Sequence, residues 1–270
     1  MRDRSSCITQ GIKLMPVEYM EFEQAREAQG LRMIVVGGVP SPWGEAAKGI
    51  LHVKQIPWKA VRLDQGSDAM AGWTGERSGP VAMYEDEAPR SGWDEILLLA
   101  ERLAPTPELL PPDPLERARL LGLSHEICGE DGLGWARRLQ GVHASLNGAP
   151  SFPPAIARYL ADKYAYRADA ASQVQRRVLE LLRMLADLLH AQKKDGSRFY
   201  SGKRLSVVDL YSATFISLFE PLPPDQCAMM EPIRAGYAYL DEATKKALDP
   251  ILTEHRDFIY EEFLELPLTL

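Results

Sequence analysis

Between Ala104 and Pro114 the chain reads APTPELLPPDP, five prolines in eleven residues. Proline fixes φ and has no amide hydrogen, so neither a helix nor a central strand runs through such a stretch. The fold must therefore be built from the segments on either side of it. We place a domain boundary here. Residues 1–30 read as an N-terminal extension, 31–104 as a first domain, 105–112 as the linker and 113–270 as a second domain.

The two sides have different patterns. In the first, short β-rich runs alternate with helical ones. Arg32–Val36 (RMIVV) reads as a strand and Glu45–Gln55 as a helix whose apolar residues recur every three or four positions. Trp58–Leu63 and Pro80–Tyr84 read as further strands, and Trp93–Leu103 as a closing helix. This is βαβ followed by ββα, with a Gly-rich connector at Asp64–Gly79 that carries no clear pattern. Arg32, Lys59 and Arg62 near these strands read as surface charges.

Beyond the prolines everything reads as helix. Asp113-Pro114-Leu115-Glu116 is a helix start with Asp at the N-cap, Pro at N1 and Glu at N3. Ser172–Gln192 carries one apolar stripe through Val174, Val178, Leu181, Leu182, Leu185, Leu188 and Leu189. Ser206 and Asp209 open another helix as a reciprocal cap, and Glu242–Leu266 supplies one or two more. Leu120–His143 also reads as helical, with His125, Cys128, Gly132 and Trp135 near one face. Glycines 129, 132 and 134 there predict a break or close packing. In the extension, Met15–Gln29 has helical propensity. Met1–Lys13 has no pattern and is expected to be disordered.

Composition limits the partners. At 270 residues and 46 % hydrophobic the chain can bury a sizeable core. A net charge of −7 argues against a broad nucleic-acid surface. Cys7, Cys128 and Cys227 are odd in number and far apart, which predicts neither a disulfide framework nor a zinc site, and fits a reducing compartment. No metal is expected, because no second His or paired carboxylate stands at ligand spacing from His125. No apolar run is long enough to span a bilayer, and residues 1–30 lack a signal-peptide core, so a soluble, cytoplasmic protein is expected.

The residues also carry a resemblance. Ser41–Trp58, read as S-P-W-x7-L-x2-K-x-I-P-W, resembles the opening of the first helix and the turn into the second strand of cytosolic glutathione transferases. Gly79-Pro80-Val81-x-Met83 is similar to that family's V-P-x-L element, whose proline is cis, and Ser206-x-x-Asp209 to the cap of its core helix. The resemblance spans Leu31–Leu266. It implies an N-terminal thioredoxin-like βαβ-ββα domain followed by an all-helical domain, glutathione as co-substrate, a small hydrophobic electrophile, and a homodimer.

By that resemblance Ser41 is the candidate catalytic group. A free thiol has a pKa of about 8.5, and a hydroxyl donor at a helix N-terminus favours its ionised form. The other reading of Ser41 is an ordinary N-cap. Trp43, Pro80, Val81, Trp93 and Asp94 are the candidate glutathione-binding residues, with the main chain of Val81 expected to pair with the cysteinyl unit. The other reading of Pro80 is the start of an edge strand, and of Trp93 a core residue at the head of its helix. Gly92-Trp93 stands where the family carries an acidic residue and Ser or Thr for the γ-glutamyl end. His125, Cys128, Trp135 and Arg138 are candidates to line the electrophile pocket or to bind an acidic substrate, or else belong to a helix interface. Two functions are compatible with this: a transferase acting on a small electrophile, or a non-catalytic ligand-binding or protein-interaction module of the same fold.

Overall fold

The structure is a computed structural model and describes residues 17–270. The expectations for Met1–Lys13 and for Cys7 lie outside the described residues. A four-stranded sheet has the order β1-β3-β2-β4, with β1 at Tyr19–Met20, β2 at Leu31–Val35, β3 at Trp58–Arg62 and β4 at Val81–Tyr84. β1 and β2 both pair parallel with β3, and β4 runs antiparallel to β2. The described part of the extension thus joins the sheet. Its helical propensity is confined to α1 (Phe22–Glu27), while Tyr19 and Met20 cover the otherwise open edge of β3 beside Ala60 and Val61.

Period-two alternation divides the central strand between two cores. Leu31, Met33 and Val35 face α2 (Pro42–Val53) and α4 (Trp93–Leu103). Ile34, with Val61, Val81 and Met83, faces Ala25 of α1 and Met70 of α3 (Asp68–Thr74). Arg32 is on this second face and is not the surface charge its sequence position suggests. It is buried, donates to the carbonyls of Gly30 and Glu85, and lies over Trp73. The unpatterned connector contains α3, started by Ser67, whose hydroxyl accepts from Met70 N–H, and ended by Gly75 at φ 77°.

Lys54, at the end of α2, fastens the proline-rich linker. Its ammonium donates to the carbonyls of Ala104 and Pro107 at 2.7 and 2.8 Å and pairs with Glu101 at 2.8 Å. The remaining helices are α5 (Pro114–Cys128), α6 (Leu133–Leu146), α7 (Pro154–Lys163), α8 (Ala171–Lys194), α9 (Val207–Ile216), α10 (Glu231–Ala238), α11 (Glu242–Ala247) and α12 (Pro250–Phe263). Asp113 caps α5 through Glu116 N–H, but the reciprocal half of that cap is not made, because the Glu116 carboxylate turns to Arg119 and Ser201.

Helix α9 is buried over its whole length and forms the centre of the helical layer. Asp209 fixes its start, accepting from Ser206 N–H and Oγ, Tyr200 N–H and His255 Nε2, all within 3.0 Å. A buried carboxylate with four donors has its charge spread over real bonds rather than left to the low-dielectric interior. The helical segment from Leu120 to His143 breaks at its glycines, one of the two outcomes they predict. α5 stops at Cys128, and Gly132 is the N-cap of α6. Gly134 answers the other half of that expectation: a Cβ there would sit 2.3 Å from the Phe215 ring and 3.1 Å from Trp43.

Candidate functional site

The site forms where the start of α2 meets the helical layer. Pro42 at N1 presets the helical φ and has no N–H to satisfy, and Ser41 is the N-cap with extended backbone angles, φ −70° and ψ 120°. Ser41 N–H donates to Val39 C=O and its carbonyl accepts from Glu45 N–H, so the main chain is fully used. Its hydroxyl makes no capping bond. An N-cap serine normally accepts from N2 or N3; here that oxygen is left to face a cavity of about 640 Å³. No main-chain bond is made by Trp43 or Gly44 N–H among the described residues. These amides carry the positive end of the α2 dipole.

One wall of the cavity comes from the sheet. Pro80 follows a cis Gly79–Pro80 peptide bond, and both residues line the cavity. Val81 does not. Its side chain is fully buried in the second core beside Ile34. Ala82 exchanges both main-chain bonds with Arg90, so by strand alternation the polar groups of Val81 point the other way, into β2. The main-chain groups available at this edge belong to Gly79, which makes no hydrogen bond among the described residues. The sequence carries a signal for this: Gly79 is the residue before the proline, where the chain turns out of the strand.

Further along this wall α4 begins. Glu95 reaches back to accept from Ser91 and Gly92 N–H at 3.1 and 2.9 Å, which ties down the approach to the helix. Asp94 is exposed and lines the cavity. Trp93 lines it too and leans toward the helical layer. Its ring lies 5.7 Å from Tyr211, edge to face, and 6.3 Å from His125, and its carbonyl accepts from Tyr211 OH at 3.0 Å. Packing and site lining are both true of Trp93.

The opposite wall is aromatic. Trp43 donates from its indole to Cys128 C=O at 2.9 Å and packs edge-on against Phe215 at 4.8 Å. Trp135 meets Tyr164 edge to face at 4.8 Å. His125, Cys128, Trp135 and Arg138 all line the cavity although α5 and α6 are separate helices. His125 is exposed at the rim. Burial pushes the Cys128 thiol well above its ordinary pKa, and burial with the Glu45 charge raises Cys227 to about 11. Neither is therefore a thiolate near neutrality.

The inner end is cationic. Arg138, 8 % exposed, donates from Nη2 to Tyr237 OH at 2.8 Å, with the Tyr237 and Phe152 rings 4.8 and 5.9 Å from the guanidinium. Burial opposes its charge, but the phenols of Tyr237 and Tyr164 outweigh that and hold its pKa above the ordinary arginine value. Lys163 donates to Ser78 Oγ at 2.8 Å, and burial together with Arg138 lowers its pKa. Nothing in the sequence singles out Tyr237, Tyr164 or Lys163, because α7 and α10 bring them to the cavity with no motif around them. Among the described residues no group of three or more His, Cys, Asp or Glu stands at metal-binding spacing. No described helix is long and apolar enough to cross a membrane.

No family model matches the sequence, and no curated protein matches it significantly. Solved structures do match. A Methylobacterium radiotolerans glutathione S-transferase in complex with glutathione sulfonate is 19 % identical, with 87 % of this chain and 92 % of that one covered and a TM-score of 0.57. A glutathione S-transferase from Methylobacillus flagellatus with glutathione bound is 14 % identical, with 86 % and 96 % covered and a TM-score of 0.59. A glutathione transferase family member from Pseudomonas fluorescens with two glutathione bound is 15 % identical, with 90 % and 97 % covered and a TM-score of 0.59. The chain has the glutathione transferase fold: a small thioredoxin-like sheet layer followed by an all-helical layer.

Proposed function

We propose that this protein binds glutathione in the cavity at the start of α2 and activates its thiol for attack on a small hydrophobic electrophile. The observation that carries the reading is the Ser41 hydroxyl, free of any capping duty and facing the cavity at the positive end of a twelve-residue helix. A donor to the sulfur and two unpaired helix amides both favour thiolate over thiol. The rate gain comes from ionising the nucleophile and holding it beside the electrophile against the aromatic wall of Trp43, Trp135 and Tyr164.

In this reading the main chain of Gly79, rather than that of Val81, pairs with the cysteinyl unit, and Pro80 forms the floor beneath it. Asp94 takes the γ-glutamyl ammonium, and the amides of Trp93 and Asp94 take its carboxylate. This reassigns the work of the family's acidic-Ser pair by one position. The tilt of Trp93 toward Tyr211 and His125 supports the transferase over the non-catalytic module, since the ring packs on the helical side and leaves Asp94 exposed. A cytoplasmic homodimer belongs to the same proposal, and sedimentation equilibrium tests the dimer. The test of the function is conjugation of glutathione to 1-chloro-2,4-dinitrobenzene by wild type and Ser41→Ala. Loss of activity in the variant with glutathione affinity retained supports the reading; equal activity refutes the role of Ser41.

A further inference from the structure

The inner end of the cavity holds a buried positive charge with no carboxylate to match it. Arg137 and Arg138 are consecutive and both buried, yet neither forms an ion pair among the described residues. They differ in how they are satisfied. Arg137 donates to the carbonyls of Leu218, Tyr237 and Tyr239 and to Gln140 Oε1, and burial with its neighbour Arg138 pulls it down to about 10. It is a structural pin between α6 and the segments around α10. Arg138 makes one such bond, to the Tyr237 hydroxyl. Its Nε is enclosed without a hydrogen-bond partner, and its Nη1, which is not enclosed, also makes no hydrogen bond among the described residues, so that the side chain lines the cavity with an unused donor.

A buried guanidinium ordinarily has its N–H groups paired or hydrogen-bonded, and Arg138 has only the Tyr237 hydroxyl. The nearby phenol of Tyr164 does not supply the balance, since burial holds it protonated against the pull of Arg138. Lys163 also lines the cavity, but it is exposed with Glu76 nearby and is not part of this buried charge. The acidic residues of the cavity, Glu76, Asp94 and Glu130, are all exposed. A guanidinium with an open donor, flanked by aromatic rings and facing a cavity large enough for a small molecule, is arranged for a planar anion.

We propose that the second substrate is an aromatic acid, with its carboxylate on Arg138 beside Tyr237 and its ring against Trp135 and Tyr164. This names the substrate class for the glutathione reading and rests on it for the identity of the first substrate. The anion site itself is tested without glutathione. Calorimetric titration of the whole protein with 4-nitrobenzoate and with its methyl ester compares the same ring with and without the charge. The acid is expected to bind about tenfold or more tighter, the ordinary worth of a charge-assisted hydrogen bond. Arg138→Gln is expected to bring the two to parity. Equal affinity of acid and ester for the wild type overturns the proposal, and needs no variant to fold. So does a folded Arg138→Gln that keeps the preference.

Adding saturating glutathione separates the remaining cases. If the acid still binds, the two ligands occupy different parts of the cavity, as proposed. If glutathione displaces it competitively, the anion held by Arg138 is glutathione's own and the proposal fails while the glutathione reading stands. If glutathione does not bind but the acid preference persists, the glutathione reading fails and the anion site stands.

Discussion

Replacing Ser41 by Ala separates its two possible duties. As a cap it would contribute about 1 kcal/mol, which shifts the melting temperature of a protein this size by about 2–4 °C. The structure shows no capping bond, so Ser41→Ala should change the melting temperature by less than that. As a thiolate donor it supplies a hydrogen bond to a charged acceptor, worth about 1.5–3 kcal/mol. At about 1.4 kcal/mol per unit, its loss raises the pKa of bound glutathione by about one to two units. Thiolate ultraviolet absorbance, followed against pH on the glutathione complex, reads this directly. The sign is fixed: the variant's curve moves to higher pH, and its conjugation rate near neutrality falls about ten- to a hundredfold while affinity for glutathione holds. An unshifted thiolate curve, or a melting temperature several degrees lower with activity intact, would show that Ser41 is a cap and the reasoning wrong.

The packing makes four further outcomes testable. Lys54→Met should cost about 3 kcal/mol or more in urea denaturation, because it strands Glu101 and the carbonyls of Ala104 and Pro107 at the linker. Glu45 and Lys48 form a buried pair at 3.0 Å. Removing either partner alone should cost about 3–5 kcal/mol, while Glu45→Met with Lys48→Met together should be near neutral by a double-mutant cycle. Burial raises the Glu45 carboxyl above its ordinary pKa, only partly offset by Lys48. The folded state therefore keeps a proton that the unfolded state has lost just above the ordinary Glu value, so this group's stability contribution falls as pH rises through that window, and Glu45→Gln should flatten the slope. Gly134→Ala should destabilise by about 1–3 kcal/mol and perturb Trp43 fluorescence, since the new methyl overlaps the Phe215 ring.

Local chemistry is legible in the sequence wherever one residue type answers one geometric need. Pro42 after Ser41 and Asp209 after Ser206 each announce a helix start, and each is found there; the proline run at 104–114 lies between α4 and α5. The β-rich run of β2 and the stripe of α8 are legible for the same reason. Long-range placement is not. Arg32 looks like a strand-edge charge until the carbonyls of Gly30 and Glu85 are brought to it. Lys54 sits in a recognisable motif, but its partners lie about fifty residues away across the linker. The main-chain role expected of Val81 is one we propose instead for Gly79, because the pairing of Ala82 with Arg90, which decides which amides face outward, has no sequence signature. Lys163 and Tyr164, at the end of α7, and Tyr237, on α10, reach the cavity only through the tertiary arrangement of those helices.

The central claim is that this cavity holds glutathione, and calorimetric titration of the full-length protein with glutathione tests it most directly. Saturable binding in the millimolar range or tighter, weakened by Asp94→Asn and retained in Ser41→Ala, is the predicted result. Absence of binding at millimolar glutathione would contradict it.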